Sequence, residues 1–131
     1  MMELLSPAGD REALVAAVQN GADAVYLGTP ALNARRGAGN FDRDGLTWAA
    51  EYLHVRGRRM YVALNTLVKQ TEFGLVADTA GMIAEVGADA VIVQDLGVAS
   101  FFGQILPSLP IHASTQMAIH NRQGVEMAKT L

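Results

Sequence analysis

The pentapeptide GADAV occurs twice in this chain, at residues 21–25 and again at residues 87–91. The second copy begins 66 residues after the first. A strand, a helix and the two short loops that join them need roughly 30 residues. The repeat therefore predicts successive βα units, with one further unit lying between the two copies.

Apolar runs and helix signals outside the repeat agree with this organisation. Each short apolar run is followed by a longer amphipathic stretch that ends at glycine or proline, the usual helix stops. The predicted strands are residues 3–6, 24–27, 60–64, 90–93 and 110–113. The predicted helices are 10–19, capped by Asp10, then 44–57 starting at Asp44, 75–86, 96–106 and 121–131, and a long loop spans 28–43.

The strict alternation of strand and helix places the chain in the α/β class. Its strands are continuous apolar runs, which is typical of a parallel sheet covered by helices on its faces. About five units suit an open doubly wound sheet, whereas a complete βα-barrel needs about eight units and about 250 residues. The residue pattern alone leaves both architectures open.

Composition excludes several classes of protein. Half of the 131 residues are hydrophobic and 18% are charged, so the chain has the material for a buried core and is not disordered. A net charge of −3 gives no reason to expect nonspecific binding to nucleic acid or to anionic membranes. No apolar run approaches the roughly 20 residues that span a bilayer. We expect no membrane partner.

The absence of cysteine limits the chemistry further. With no cysteine there is no disulfide, no thiolate ligand for zinc or an iron–sulfur cluster, and no thiol nucleophile. This fits a reducing compartment, and the N-terminus lacks the basic region and apolar stretch of a signal peptide. We therefore expect a cytoplasmic protein without a cofactor bound to this chain and without a metal site.

Polar side chains concentrate where the predicted strands end. In parallel α/β folds, ligands bind beyond the carboxyl ends of the strands. These ends carry Ser6 and Asp10 after the first strand, Asn33, Arg35 and Asn40 after the second, Asn65 and Lys69 after the third, Gln94 and Asp95 after the fourth, and His112, Ser114, Thr115 and Gln116 at the fifth. This polar rim predicts a binding pocket, although some of its members also suit helix caps, Asp10 above all.

The rim provides candidates for two roles. His112 is the histidine at a predicted strand end, where it suits a general acid or base, or a hydrogen-bonded core histidine. With it, Asn65, Gln94 and Asp95 are the candidate catalytic residues. Arg35, beside Arg36, suits a carboxylate or phosphate, or is one of an exposed basic pair. The candidate substrate-binding residues are Ser6, Asn33, Arg35, Asn40, Lys69, Ser114, Thr115 and Gln116.

Common catalytic motifs are absent from the sequence. There is no dinucleotide fingerprint, phosphate-binding loop, HExxH metal pattern or GxSxG nucleophile elbow. Asp23 and Asp89, one in each copy of the repeat, fall at strand starts, which is the stability face of a barrel. We interpret these two carboxylates as structural.

Six blocks of sequence follow one another along the chain: ELLSPAG at 3–9, NGADAVYLG at 20–28, NAR at 33–35, YVALNTL at 61–67, GADAVIVQDLG at 87–97 and HASTQ at 112–116. In this order, they resemble the start of the U32 family of collagenase-like peptidases. The resemblance covers essentially the whole chain.

The resemblance implies a partial TIM-like βα-barrel of about five units, with residues 1–131 as the incomplete N-terminal part of a longer barrel domain. It implies a peptidase or, alternatively, a relative that hydroxylates RNA or a small molecule. Some of the hydroxylating relatives use iron–sulfur clusters that are held by downstream cysteines. The partners so implied are the rest of a longer protein and a peptide or RNA substrate. A third hypothesis is a non-catalytic assembly module that self-associates through its open barrel edges.

Overall fold

The computed structural model describes residues 2–34 and 39–130, which form a partial TIM-like βα-barrel with one five-stranded parallel sheet in the order β1-β2-β3-β4-β5. The predicted α/β class is therefore confirmed. The strands are β1 (Leu5–Pro7), β2 (Ala24–Gly28), β3 (Arg59–Leu64), β4 (Ala90–Val93) and β5 (Ile111–Ala113). The helices are α1 (Arg11–Gln19), α2 (Arg43–His54), α3 (Phe73–Val86), α4 (Leu96–Ile105) and α5 (Arg122–Ala128).

Strand register divides the sheet into two faces. Tyr26 pairs with Tyr61, and Ala63 pairs with Ile92, which in turn pairs with His112. Because successive side chains of a strand point to opposite faces, these residues share one face. We call it the inner face, and the face covered by the helices the outer face.

The outer face carries the main hydrophobic core. Its strand residues Val25, Val62 and Val91 are fully buried together with Leu14 of α1 and Phe102 of α4. The inner face has a smaller cluster of Ala24, Tyr61 and Ala90, against which Tyr26 and Ile92 pack. Within the described residues, no helix is both long and apolar enough to cross a lipid bilayer.

The two aspartates of the repeat make the same bond at equivalent places. The Asp23 carboxylate, just before β2, accepts a hydrogen bond from the Leu4 backbone N–H at 2.9 Å and pairs with Arg58 at 3.0 Å. The Asp89 carboxylate, just before β4, accepts one from the Met60 N–H at 2.7 Å and contacts His54 Nε2 at 2.9 Å. Each joins the start of one strand to its neighbour, which confirms that both are structural.

Element boundaries differ from the predicted ones for identifiable reasons. The expectation that Asp44 starts the second helix was wrong, because Asp42 is the N-cap and accepts from the Gly45 N–H at 2.8 Å. That helix also ends at His54 rather than at Gly57. The third helix begins at Phe73, two residues early, because a 3₁₀ turn at Gln70–Glu72 leads into it.

The other boundaries shift by one to three residues. The first strand pairs over Leu5–Pro7 rather than 3–6, since the Leu4 N–H bonds to the Asp23 side chain instead of to the ladder. The fourth helix ends at Ile105, and the fifth spans Arg122–Ala128 with Asn121 as its cap.

Replacing Asp89 with alanine should lower the free energy of unfolding by about 1–3 kcal/mol, because the Met60 N–H then loses its side-chain acceptor. Asp78, an exposed residue of α3, is the matched control, and its alanine variant should change stability by about 0.5 kcal/mol or less. Urea denaturation measures both. Equal effects of the two substitutions would contradict the structural role of Asp89.

Candidate active-site cavity

A cavity of about 620 Å³ opens at the carboxyl ends of the strands, on the inner face. Its floor consists of side chains that share that face, including Tyr26, Ala63, Ile92 and His112. Its rim comes from the loops after β1, β2 and β3 and from the segment after β5. The polar strand ends therefore surround a real depression, as the rim pattern predicts.

A histidine and a tyrosine lie edge to face on the inner face. His112 is exposed on β5, and its ring meets that of Tyr61 at 4.9 Å between centroids with an interplanar angle of 83°. Tyr61 is buried, with 4% of its surface exposed. The buried tyrosine thus supports one side of the histidine, and the exposed remainder of the imidazole lines the cavity.

Tyr61 is held in turn from the amino-terminal end of the sheet. Its hydroxyl donates to the two Glu3 carboxylate oxygens at 2.9 and 3.0 Å, and Arg59 forms an ion pair with the same carboxylate. Burial raises the pKa of Tyr61 above its usual value, and the hydrogen bond to the Glu3 anion raises it further. The phenol therefore stays neutral and fixed at physiological pH.

The long loop after β2 closes back on the strand from which it leaves. The Phe41 N–H donates to the Gly28 carbonyl at 2.8 Å, which seals the base of the loop. Asn33 Nδ2 donates to Asn40 Oδ1 at 2.6 Å. The Ala34 N–H donates to Asn65 Oδ1 at 3.0 Å, and this bond ties the loop to the end of β3. Three asparagines are thereby arranged side by side on the cavity rim.

Gly28 makes this arrangement sterically feasible. A Cβ atom on Gly28 would lie 1.9 Å from Asn33 Nδ2 and 3.0 Å from Asn40 Oδ1, so the amide pair occupies the space of the missing side chain. In the described part of this loop, two non-glycine residues have a left-handed backbone, Leu32 at φ 61° and Asn40 at φ 45°. Such conformations cost about 1–3 kcal/mol at sites such as these, and they are concentrated at functional sites.

The segment after β5 forms the opposite rim. Ser114 is buried, and its hydroxyl accepts from the Gln116 N–H at 3.2 Å as the cap of a 3₁₀ turn at Thr115–Met117. Gln94 Nε2 lies 3.5 Å from the Gln116 carbonyl, at the limit of a hydrogen bond. The turn directs Thr115 and Gln116 along the cavity wall.

The structure brings together most of the residues singled out from the sequence. Those lining the cavity are Asn33, Asn40, Asn65, His112, Ser114, Thr115 and Gln116. Among the described residues, four candidates do not line it. Ser6 shares a face with Val25 on the helix side, and Lys69 is exposed outside the cavity. Gln94 follows β4 and approaches the Gln116 carbonyl, and Asp95 is the N-cap of α4. Arg35 lies outside the described residues, and its predicted role stays a prediction.

Asp95 is committed to backbone contacts. One carboxylate oxygen accepts from the Gly97 and Val98 N–H groups at 2.7 and 3.1 Å, and the other accepts from the Val68 N–H at 3.2 Å. The side chain caps α4 and fastens the loop after β3 to it. This geometry accounts for Asp95 as a structural residue beside the cavity, while its predicted catalytic role stays a prediction.

Sequence reasoning missed the aromatic and apolar floor. Tyr26, Tyr61 and Ile92 belong to continuous apolar strands, in which no alternation separates the inner face from the outer one. The available signal was register: once the strands are aligned in parallel, every second residue can be assigned to the inner face.

In the part of the chain that the structure describes, no group of three or more histidine, cysteine, aspartate or glutamate side chains is placed to hold a metal ion. Iron–sulfur clusters are bound by cysteine thiolates, and the sequence has none. No reaction step at a metal ion or an iron–sulfur cluster is assigned to the described residues.

Comparison with known proteins shows that the chain is similar to two kinds of relative. The family model described as Peptidase family U32 matches residues 9–131. An uncharacterized protease of Methanocaldococcus jannaschii is 38% identical over 92% of this chain and 29% of its own length. A 23S rRNA 5-hydroxycytidine C2501 synthase of Escherichia coli is 37% identical over 99% of this chain and 19% of its own length.

A solved structure supports the fold. The U32 peptidase Mk0906 superposes with a TM-score of 0.73 over 95% of this chain and 53% of that one, at 13% identity. The chain thus spans less than a third of the length of these curated relatives and about half of the solved chain.

Gly28→Ala should lower the free energy of unfolding by about 1–3 kcal/mol, because the new methyl group displaces the Asn33–Asn40 pair. Gly81, within α3, has open space around its would-be Cβ, so Gly81→Ala should instead stabilise by about 0.5–1 kcal/mol. Thermal unfolding followed by circular dichroism measures both. A Gly28→Ala variant that is as stable as the wild type, or is stabilised as Gly81→Ala is, would show that Gly28 is not a steric requirement.

Proposed function

Because the chain belongs to peptidase family U32, we propose that its cavity is the substrate-binding site of a U32-type enzyme, and that the substrate it binds is a planar base of RNA. The observation that carries the proposal is the combination of an aromatic floor with a rim of amide side chains.

The floor suits the face of a base. Tyr26 on β2 and His112 on β5 both line the cavity, and Ala63 and Ile92 line it on the two strands between them. Every base presents a π-face, and aromatic side chains that stack on single-stranded bases contribute about 1–3 kcal/mol each. Because the Tyr61 ring contacts the His112 imidazole edge to face, the imidazole is already held in position to stack on a base.

The rim suits the edge of a base. The amides of Asn33, Asn40, Asn65 and Gln116 provide both donors and acceptors, and carry no charge. The edge of a cytosine or uracil likewise presents both donors and acceptors, and unstacked bases are recognised by hydrogen bonds to this edge. Asn65 Oδ1 accepts a hydrogen bond from the Ala34 N–H, and the Asn65 Nδ2 group is the donor that this side chain offers to a ligand.

The names of the relatives indicate two reactions in the family, peptide hydrolysis and the hydroxylation of RNA. One relative named above is a protease and the other modifies cytidine in ribosomal RNA. Peptide hydrolysis requires an activated nucleophile or water. The buried Ser114 hydroxyl near His112 already serves as a turn cap, whereas base binding uses the cavity as it stands. We therefore favour the RNA branch, with peptide hydrolysis as the alternative.

The proposal concerns binding and not the whole reaction. The hydroxylation named in relatives belongs to proteins several times longer than this chain, and we assign no oxidising step to the residues described. His112 and Asn65 are proposed to orient the base, and Gln116 to contact it. An RNA substrate also agrees with the cytoplasmic location that we propose for the protein.

The test is a titration of the 131-residue protein with cytidine 5′-monophosphate, followed by NMR. We expect saturable binding in the millimolar range or tighter, and His112→Ala should weaken it about fivefold or more, because one stacking partner is lost. His120→Ala is the matched control, since His120 is exposed and bonds only to the Ala118 carbonyl within the described residues. Its affinity should be unchanged.

A proline-rich collagen-type peptide serves as the competing ligand in the same assay. Binding of this peptide but not of the nucleotide, lost in His112→Ala, would support the peptidase branch and overturn the RNA proposal. Nucleotide binding that is equally strong in wild type and His112→Ala would overturn the placement of the base on the inner face.

A further inference from the structure

The candidate cavity is linked to the opposite end of the sheet by one buried side chain, that of Tyr61. Glu3 precedes β1 at the amino-terminal end, and Tyr61 on β3 joins it to His112 on the cavity floor. We propose that Glu3 is a positioning residue of the cavity: its carboxylate fixes the Tyr61 ring, and this ring fixes the His112 imidazole. The effect on binding rests on the proposed function, whereas the effect on His112 is present without any ligand.

Glu3 binds the Tyr61 hydroxyl outside the cavity, since neither residue is part of the cavity lining. The hydroxyl donates to Glu3 Oε1 and Oε2 at 2.9 and 3.0 Å, and Arg59 pairs with the same carboxylate, which is 27% exposed. Burial raises the pKa of Tyr61 and the hydrogen bond to Glu3 raises it further, so the phenol keeps its proton and remains a donor. The hydroxyl end of the ring is therefore held at a fixed point near the amino-terminal end of the sheet.

Ala24 leaves room for this hydrogen bond to cross β2. It is fully buried and packs with Tyr61 in the inner-face cluster. It pairs with Leu5 of β1 on one side and with Arg59 of β3 on the other. Its methyl group lies between the strand that carries Tyr61 and the segment that carries Glu3, so a larger side chain there would meet the phenol. The reach of Tyr61 to Glu3 thus depends on a small residue on the intervening strand.

The His112 imidazole is the other end of this series of contacts. Its ring lies 4.9 Å from the Tyr61 ring between centroids, at an interplanar angle of 83°. Among the described residues, no hydrogen bond to either imidazole nitrogen accompanies this ring contact. His112 is otherwise exposed, so its aromatic neighbour is what restricts the orientation of the ring. A Tyr61 ring that is no longer bonded to Glu3 would restrict the imidazole less.

A purely structural role is the alternative for Glu3. In that case its removal lowers the stability of the protein, but the molecules that remain folded keep His112 in its wild-type surroundings. A positioning role predicts that His112 changes its surroundings in the folded protein. The two roles are therefore separated by a signal of the His112 ring itself and not by stability.

The first test is NMR of the carbon-bound imidazole protons of His112 in the ligand-free 131-residue protein, since the ring current of Tyr61 displaces these signals from those of free histidine. Glu3→Ala removes the acceptor and Tyr61→Phe removes the donor, and both should move the His112 signals toward those of free histidine. Glu3→Gln keeps an acceptor oxygen and should retain the wild-type signals. Glu51→Ala, which removes an exposed carboxylate from α2, is the matched control and should retain them too. Circular dichroism confirms that each variant is folded.

The second test is the affinity of the same variants for cytidine 5′-monophosphate. Glu3→Ala should weaken binding about two- to fivefold, which is less than the loss of a stacking ring. Glu3→Gln and Glu51→Ala should leave the affinity unchanged. In a protein that already carries His112→Ala, adding Glu3→Ala should weaken binding no further, because substitutions that act on one contact are not additive.

Two results would overturn the positioning role. One is unchanged His112 signals in folded Glu3→Ala and Tyr61→Phe, which would leave Glu3 as a structural residue. The other is an additive loss of affinity in the double variant, which would show that Glu3 affects binding without His112. A wild-type protein that does not bind the nucleotide would instead overturn the proposed function, and the His112 signals alone would then decide the role of Glu3.

Discussion

Parallel register is the constraint on which the rest of the structure depends. Pairing of Tyr26 with Tyr61 and of Ile92 with His112 fixes which side chains enter the helix-covered core and which face the cavity. A slip by one residue would exchange the two sets and bury His112 under the helices. Asp23 and Asp89 help to set this register, because each joins the first residues of one strand to the next through a side-chain bond.

The cavity follows from this register together with small residues at a few positions. Ala24, Ala63 and Ala90 place only methyl groups on the inner face, which leaves space for the Tyr61 ring. The Tyr61 hydroxyl can therefore reach Glu3 across β2 while its ring contacts His112. The side-chain amides of Asn33 and Asn40 occupy the space that a side chain at residue 28 would fill. The same sheet thus has two chemically different faces: one is a close-packed core that provides stability, and the other is an open surface of rings and amides suited to a planar ligand.

The sequence was sufficient for the fold class and for much of the rim. The repeat and the apolar runs located every strand, since a βα unit has a nearly fixed length. Helix starts were less certain where neighbouring candidates compete, as Asp42 and Asp44 do, because the cap is decided by which side chain reaches a backbone N–H. Tyr61 escaped notice for a different reason: a strand buried on both faces shows no alternation, and the Glu3 contact joins residues 58 apart.

The inner face, and not the helix-covered face, is the surface that we propose binds the substrate. Methyl NMR of the 131-residue chain during titration with cytidine 5′-monophosphate tests it most directly. Ala63 and Ile92 line the cavity, whereas Val62 and Val91 are their immediate neighbours on the outer face. We predict saturable shifts of the Ala63 and Ile92 methyl signals, whereas the methyl signals of Val62 and Val91 should shift very little. Larger shifts at Val62 and Val91, or none at Ala63 and Ile92 when the nucleotide is bound, would contradict it.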